Sequence, residues 1–281
     1  MVSAGLALAA LCLAAVAALV VLRAADARAD TRLRRRLEAA TLPHTRRFDA
    51  AMLDGLPEPA ARFFRFAIAP GTELRTVARL SMGGELSLGG RDAPMHALQI
   101  LAAPHGFLWQ VRLDGPTRVT GSDALDTMGN WSRFRLLDLV PVGRAGGNPD
   151  HLRSAFGRMV GEALFWTPAA FLPAAGAGWD AISWEAVGSD TTAVTVRHRG
   201  LTQRAEVTVD GAGRPSRVAF PRWSNENADR TYRLQSFGGD LSEFDRFDGY
   251  CLPTRVTGGN HYGTPDYDAF FRARVTAAAF L

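Results

Sequence analysis

The feature that most constrains this chain is an uncharged apolar run over residues 2–22, which a basic stretch follows from Arg23. The run consists mostly of Ala, Leu and Val. As a helix that rises about 1.5 Å per residue it spans roughly 31 Å, which matches the hydrocarbon core of a bilayer. Residues 1–23 are therefore predicted to be a transmembrane anchor, with the membrane as a partner.

A cleaved secretory signal peptide is the alternative interpretation of the same segment. Signal peptides combine a basic start, a shorter apolar core and a cleavage site between small residues. The run here has a long core and no basic side chain before it, although Ala25-Asp26-Ala27 offers a cleavage site. Cys12 lies inside the run behind Leu11, which makes it a poor lipid acceptor. We favour the uncleaved anchor, and the signal peptide stays open.

The arginines after the run predict on which side of the membrane the chain continues. Only Asp26 and Asp30 accompany Arg23, Arg28, Arg32, Arg34, Arg35 and Arg36. Positive charge flanking a span stays on the cytoplasmic side, and each Arg near an anionic leaflet contributes about 1 kcal/mol. A single-pass protein of a bacterial cytoplasmic membrane, with its domain in the cytoplasm, is expected. The other interpretation makes residues 30–40 a solvated helix without a membrane role.

The charge of the remaining chain excludes a nucleic-acid partner. Residues 1–47 hold eight Arg and three acids, whereas the rest holds twenty-four Arg and twenty-five acids. A nucleic-acid-binding domain needs a basic face, and the excess of positive charge here belongs to the membrane junction. Cys251 is the one cysteine outside the apolar run, so the domain holds no intrachain disulfide and no cysteine metal site.

Hydrophobic periodicity predicts one mainly β domain over residues 56–281, preceded by a basic juxtamembrane helix and linker over 24–55. Pro57 and Pro59 open a short helix that ends at Pro70-Gly71. Asp150 is a good helix N-cap, and apolar residues at spacings of three and four predict a second helix to about Phe165.

Alternating apolar and polar residues predict ten to twelve strands. Turns are predicted at Gly83-Gly84, at Asp114-Gly115-Pro116 and at residues 210–213. The predicted strands cover 74–80, 95–101, 107–113, 118–125, 182–187, 193–198, 204–209, 218–220, 232–237, 244–247, 252–257 and 271–280, and a further apolar run covers 134–142. The fold class is therefore α+β, an N-terminal transmembrane helix followed by a large curled antiparallel sheet, an incomplete barrel, packed on a few helices.

Two resemblances accompany this pattern. Residues 244–256, FDRFDGYCLPTRV, look like the "F-x-x-F-x-G-x-x-L-P-T-x-V" hairpin of bacterial lipoprotein-carrier proteins, in which an incomplete antiparallel barrel encloses an apolar cavity; residues 210–218 resemble the hairpin before it. More closely, residues 56–281 resemble a bacterial domain family of unknown function that often follows an N-terminal membrane segment. The matching stretches are 56–65, 106–109, 158–168 and 261–265. The family resemblance implies no activity.

Eight residues are candidates for ligand binding, each beside a plainer interpretation. Arg158, Glu162 and Trp166 share one helix face, where Arg158 and Glu162 could equally form an exposed i,i+4 ion pair, the interpretation we favour. Arg222-Trp223 could present a guanidinium to an anionic head group, or Trp223 could simply pack at a strand end. His261-Tyr262 lies in a glycine-rich turn, where a solvated His is the commoner case. Trp109 is a candidate that, like Trp131, Trp179 and Trp184, also fits the sheet interior.

The sequence carries no motif for catalysis, metal or a cofactor. The six His residues, 44, 96, 105, 151, 198 and 261, show no zinc-site spacing, and no nucleophile elbow, dinucleotide fingerprint or phosphate-binding loop occurs. The first hypothesis is a membrane-anchored module that binds an apolar or amphiphilic, lipid-like molecule in the curled sheet. The second is a packed structural or interaction domain with an unspecified protein partner. An enzyme built on Glu162 or His261 is the third.

Overall fold

A computed structural model describes residues 2–42, 46–115 and 117–281 of the chain. Part of the predicted linker, with His44, and the last residue of the predicted Asp114-Gly115-Pro116 turn lie outside the described residues. Three α-helices and three short 3₁₀ helices are described. They are α1 Val2–Glu38, α2 Glu58–Ala67 and α3 Pro149–Trp166, with 3₁₀ turns at Ala50–Leu53, Pro168–Phe171 and Pro173–Ala175.

All described strands belong to one antiparallel sheet. Its spatial order is β6-β5-β4-β3-β2-β1-β13-β12-β11-β10-β9-β8-β7, so β6 and β7 are its two edges. The strands are β1 Val77–Leu88, β2 Arg91–Ala102, β3 Gly106–Leu113, β4 Val119–Asp126, β5 Gly129–Leu136, β6 Val140–Gly146, β7 Ala181–Ala186, β8 Thr191–His198, β9 Leu201–Val209, β10 Pro215–Ser224, β11 Arg233–Phe247, β12 Tyr250–Asn260 and β13 Asp268–Phe280.

The sheet curls around α2, α3 and the 3₁₀ turns without closing. One large cluster of buried side chains joins its inner face to the helices, with the fully buried Phe64 of α2 and Trp166 of α3 among its largest members. Strands as far apart in the sheet as β2 and β9 contribute to that cluster. The predicted α+β fold, a long apolar N-terminal helix followed by a large curled antiparallel sheet on few helices, is confirmed.

The first half of α1 is exposed and its second half packs on the outer face of the sheet. The apolar part of α1 is long enough to cross a membrane, and its most apolar stretch contains no residue that is buried in the protein. Leu33 and Leu37, by contrast, are 0% and 2% exposed. They form a second cluster with sheet residues Val77, Ile100, Ala102, Leu108, Ala124 and Trp131. The alternative of a purely solvated helix over residues 30–40 is therefore wrong.

Ion pairs and hydrogen bonds hold this half of α1 on the sheet. Asp26, 5% exposed, pairs with Arg144 at 2.6 Å and Arg133 at 3.1 Å, and also with Arg135. Asp30 accepts hydrogen bonds from Gln110 and Ser122. Three of the six arginines over residues 23–36 also bond to the strands or their turns, through Arg23–Asp138, Arg34–Gln110 and Arg36–Asp126. The domain boundary at residue 56 stays a prediction.

Several local predictions differ from the structure. Gly83-Gly84 is not a turn but lies inside β1, where a Cβ on Gly84 would come 2.0 Å from the carbonyl oxygen of Arg272 on β13. The turn follows at Gly89 and Gly90, both at positive φ. The predicted strands 232–237 and 244–247 are one long strand, β11, and residues 134–142 are a hairpin whose turn residues Leu137 and Asp138 have positive φ.

Two further predictions need correction at single residues. Trp131 does not line the sheet interior, because it packs beneath α1 on the outer face. The N-cap of α3 is Asn148, whose side chain accepts a hydrogen bond from the backbone of His151, and Asp150 lies inside the first turn instead. The N-cap lies two residues before the predicted one because Pro149 is preorganised for the first helical position.

Candidate ligand-binding cavity

A cavity of about 200 Å³ lies between α3 and the inner face of the sheet. Its walls are mostly apolar and aromatic, with a few charged side chains at one side. The apolar lining includes Leu86, Leu88, Trp109, Phe134, Phe165, Trp166, Val218, Phe220, Phe237, Leu241, Val256, Phe270 and Phe271, and the charged lining is Asp123, Arg158, Glu162 and Arg222. An apolar cavity of about 150 Å³ is enough to hold benzene. This one can therefore hold a short hydrocarbon segment.

Two glycines let α3 lie close to the sheet beside the cavity. A Cβ on Gly161 would come 2.2 Å from Cε1 of Phe220 on β10, and one on Gly157 would come 2.8 Å from Oε1 of Gln203 on β9. The spacing of four residues places both glycines on one helix face. The face turned toward the opposite wall of the sheet then carries Arg158 and Glu162.

Arg158 is the centre of a buried charge cluster. Its Nε donates to Oε1 of Glu162 at 2.7 Å, and it also pairs with Asp123 of β4. Gln99 donates to the other oxygen of Glu162 at 2.6 Å. The side chains of Arg158 and Glu162 are 14% and 18% exposed, so the favoured interpretation of an exposed ion pair is wrong. Burial lowers the pKa of Arg158, but Glu162 and Asp123 outweigh burial and raise it.

Arg222 of β10 is the second cation of the cavity and is held differently. Its guanidinium lies 4.7 Å from the centroid of the Phe237 ring, but it forms no ion pair with a described residue. Burial lowers the pKa of Arg222, and the nearby charge of Arg158 lowers it further. The buried Nε of Arg222 and the buried indole Nε1 of Trp109 make no hydrogen bond within the described part of the chain. Both donors belong to residues that line the cavity.

The structure brings five of the eight candidate residues together. Trp109, Arg158, Glu162, Trp166 and Arg222 all line the cavity. Trp166 is fully buried, and its indole donates to the carbonyl of Pro253 at 3.3 Å. The other three candidates, Trp223, His261 and Tyr262, do not line it.

Each of these three has a structural role elsewhere. Trp223 donates to Asp150 at 2.8 Å and lies under the guanidinium of Arg153, so it holds the first turn of α3. His261 lies 3.0 Å from the carbonyl of Glu226 in the turn after β12. Tyr262 donates to Asp240 at 2.6 Å, and burial followed by the Asp240 carboxylate raises its pKa.

Sequence reasoning did not identify several lining residues. Asp123 is one, since a single acid in an alternating strand gives no sign of its burial. Among the others are the aromatic residues Phe134, Phe237, Phe270 and Phe271. They occupy inward positions on strands β5, β11 and β13, and only the curl of the sheet brings these strands opposite α3. Their aromatic character was a visible signal, but the strand pairing was not.

The part of the chain that the structure describes contains no group of three or more His, Cys, Asp or Glu side chains arranged to hold a metal ion. The closest acid–base cluster, Asp123–Arg158–Glu162, has its carboxylates tied to the guanidinium. Its three side chains therefore bond to one another and form a fixed polar part of the cavity wall.

Fold and cavity together define an incomplete antiparallel barrel that encloses an apolar cavity behind a long N-terminal apolar helix. The chain belongs to the family of unknown function DUF6544, whose profile matches residues 46–273. All four stretches that carried the family resemblance fall inside that match, and the resemblance is confirmed. No curated protein matches the sequence.

Three solved structures are similar to this chain at low sequence identity. A LolA superfamily protein from Nitrosomonas europaea has 10% identity and a TM-score of 0.42, covering 79% of this chain and 92% of its own. A putative outer membrane lipoprotein-sorting protein domain from Vibrio parahaemolyticus has 13% identity and a TM-score of 0.37, covering 82% and 91%. A DUF1329 family protein from Desulfovibrio piger has 10% identity and a TM-score of 0.38, covering 79% and 90%.

Proposed function

We propose that this protein binds an amphiphile, with one hydrocarbon chain in the cavity and an acceptor head group at Arg222, while α1 anchors it to a membrane. The observation that carries the proposal is the cavity itself, about 200 Å³ between α3 and the sheet, walled by aromatic and aliphatic side chains. Protein interiors are close-packed, and an apolar void of this size costs stability unless a ligand fills it. A fully packed structural domain does not account for it.

The cavity volume limits the ligand to a thin chain. By comparison with the benzene-sized cavity of about 150 Å³, about 200 Å³ accommodates on the order of eight carbon atoms. Sites for larger ligands occupy about 300–1,000 Å³. One end of a single acyl chain therefore fits, and a pair of chains does not.

The polar wall indicates the chemistry of the head group. Arg158 has both carboxylates of the cavity as partners, so its charge is already matched. Arg222 and Trp109 keep donors without a partner among the described residues. A carboxylate or phosphate oxygen would satisfy these donors, and charge-assisted hydrogen bonds of this kind are stronger than neutral ones.

Octanoate binding to the detergent-solubilised full chain tests the proposal. We expect octanoate to displace the fluorescent probe 1-anilinonaphthalene-8-sulfonate from the wild-type protein. Leu241→Trp should abolish binding, because Leu241 is 5% exposed and lines the cavity. Leu234→Trp is the matched control, since Leu234 lies on the same strand and is 52% exposed. Binding that survives Leu241→Trp in a folded protein, or absence of binding to the wild type, would refute the proposal.

A further inference from the structure

One end of the sheet carries three neighbouring turns, which connect β1 to β2, β3 to β4 and β5 to β6. We call it the hairpin end. The register places Leu88 opposite Arg91, Leu113 opposite Val119 and Leu136 opposite Val140, so these turns lie side by side. The turns at residues 103–105 and 127–128 lie at the opposite end of the same strands.

Helix α1 leaves the sheet at the hairpin end. Arg23 bonds to Asp138 in the β5–β6 turn, with a distance of 3.0 Å from Nε to Oδ1. Glu38, at the other end of the helix, pairs with Arg79 near the beginning of β1, at the opposite end of the sheet. The direction of α1 is therefore fixed, and its apolar residues before Arg23 project beyond the hairpin end.

The cavity becomes more exposed toward the same end. Along β1, the exposed fraction of the lining residues rises from 4% at Leu86 to 41% at Leu88, next to the turn. On β11 the buried Leu241 gives way to a partly exposed Phe237, and on β13 the buried Ala273 gives way to a partly exposed Phe271. On both strands the exposure of the side chains therefore increases toward the strand end that lies beside the β1–β2 turn. The mouth of the cavity therefore lies at the hairpin end.

The hairpin end also presents apolar and basic side chains to its surroundings. Leu137 is 64% exposed, and Val140 and Val142 on edge strand β6 are 42% and 59% exposed. Arg91 and Arg118 lie exposed at the two neighbouring turns. Asp92 and Asp114 lie at the same two turns, so it is the exposed apolar side chains that make this end typical of a surface that docks on a bilayer.

We propose that the hairpin end rests on the bilayer that holds α1, and that the cavity takes its hydrocarbon chain directly from that leaflet. This inference rests on the proposed function, since it assumes both the anchor and the ligand. The occupant of the surface is the lipid bilayer, because the apolar part of α1 leaves the domain beside it. A chain that enters through a mouth in contact with the leaflet does not cross water, which removes the cost of exposing apolar surface.

Depth-dependent fluorescence quenching tests the docking. The full chain, with Cys12→Ala and Cys251→Ala, receives an NBD label at Leu137→Cys and is reconstituted in phosphatidylcholine–phosphatidylglycerol vesicles containing doxyl-labelled lipid. Met128→Cys is the matched control, because Met128 is 78% exposed in the β4–β5 turn at the opposite end. We expect strong quenching at residue 137 and none at residue 128. Equal quenching at both positions, no quenching at 137, or failure of the protein to associate with the vesicles would overturn the proposal.

Photocrosslinking tests the direct uptake of the chain. A phosphatidylcholine with a diazirine at the end of one acyl chain should crosslink to β11 residues 233–247 in the wild type. In the double variant Leu137→Asp/Val142→Asp this crosslink should be lost. Free diazirine-labelled octanoate should still label the same peptide in both proteins.

The two arms separate the two proposals. If octanoate labels both proteins and the double variant still crosslinks to the lipid, the uptake from the bilayer is refuted, and the proposed ligand site is retained. Absence of octanoate labelling in a wild-type protein whose residue 137 is quenched would refute the ligand site and leave the docking standing. Folding of each variant is verified by its circular dichroism spectrum.

Discussion

Arg222 is the residue on which ligand recognition is expected to depend. Arg158 and Arg222 carry the same charge, but only Arg158 has carboxylate partners, Asp123 and Glu162. A ligand oxygen would therefore compete with existing bonds at Arg158 and would meet free donors at Arg222. Recognition of a head group should follow this difference in hydrogen bonding.

Arg222→Gln is accordingly expected to weaken octanoate binding. A hydrogen bond to a charged group contributes about 1.5–3 kcal/mol, which corresponds to a loss of about 10- to 150-fold in affinity. Binding of octan-1-ol, which has no anionic head, should change little. Titration calorimetry on both ligands measures the two effects. An equal loss for octanoate and octan-1-ol would show that the substitution damages the cavity as a whole.

Gly161 sets how closely α3 approaches β10. Gly161→Val would place side-chain atoms against Phe220, because a Cβ alone would lie 2.2 Å from the ring. Overpacking of this kind destabilises a fold by about 1–3 kcal/mol, and we expect the upper part of that range. Urea unfolding measures the loss. Gly188→Val is the control, since its Cβ would meet no atom within 4 Å; similar losses for both variants would contradict the packing argument.

At the level of elements, α1 has two halves with different environments. Its second half carries Asp26, Asp30, Leu33 and Leu37 at spacings of four, three and four residues, which puts them on one helix face. That face meets the sheet. This one-sided pattern was present in the sequence, but the surrounding arginines favoured a membrane interpretation. No local feature of the sequence indicates that the helix packs on the outer face of a sheet.

Asp26→Ala should release this half of α1 from the sheet. The substitution leaves Arg133, Arg135 and Arg144 without their shared carboxylate. Breaking a buried ion pair by removing one partner costs about 3–5 kcal/mol. Tryptic cleavage at Arg28 and Arg32 should then accelerate by about two to three and a half orders of magnitude. Glu226→Ala, which removes an exposed ion pair with Arg230, should leave the rate unchanged; unchanged cleavage in Asp26→Ala would contradict the docking role.

Predictions were correct where the local spacing of apolar residues determines the element, and they were wrong where contacts between distant strands determine it. The helix predicted from Asp150 to Phe165 matches α3 closely, because its apolar spacing is local information. Gly83-Gly84 was predicted as a turn because glycine pairs commonly break strands. In the structure Gly84 instead allows β13 to approach β1. Because this contact is made by a strand almost two hundred residues away, the residues around Gly84 do not indicate it.

At the scale of the whole molecule, the site could be predicted only in part. The five candidate residues that line the cavity came from one helix, one strand end and one tryptophan, each suggested by its own neighbours in sequence. The rest of the wall comes from α3 and from strands β1, β4, β5, β10, β11, β12 and β13. Their convergence is set by the strand order, in which β1 pairs with β13, and sequence patterns do not encode that pairing.

Three buried or half-buried histidines distributed over the molecule predict how its stability depends on pH. Burial is the main cause that lowers the pKa of His105, His151 and His198 below the usual value of 6.5. Around and below pH 6.5 the unfolded chain therefore binds more protons than the folded protein. Stability is complete above that pH and falls as the pH drops through 6.5 toward the lowered pKa values.

The midpoint of urea unfolding should consequently be lower at about pH 5.5 than at about pH 7.5. His151 contacts Asn130 at 2.7 Å and Ser132 at 3.2 Å, so its neutral ring is tied into the fold. His151→Gln should reduce the pH dependence, whereas His96→Gln, at a side chain 63% exposed, should not. Asp30, whose pKa burial raises, acts in the opposite sense at lower pH, and comparing the variants at each pH cancels its contribution. An identical pH dependence in all three proteins would show that histidine burial does not control acid stability.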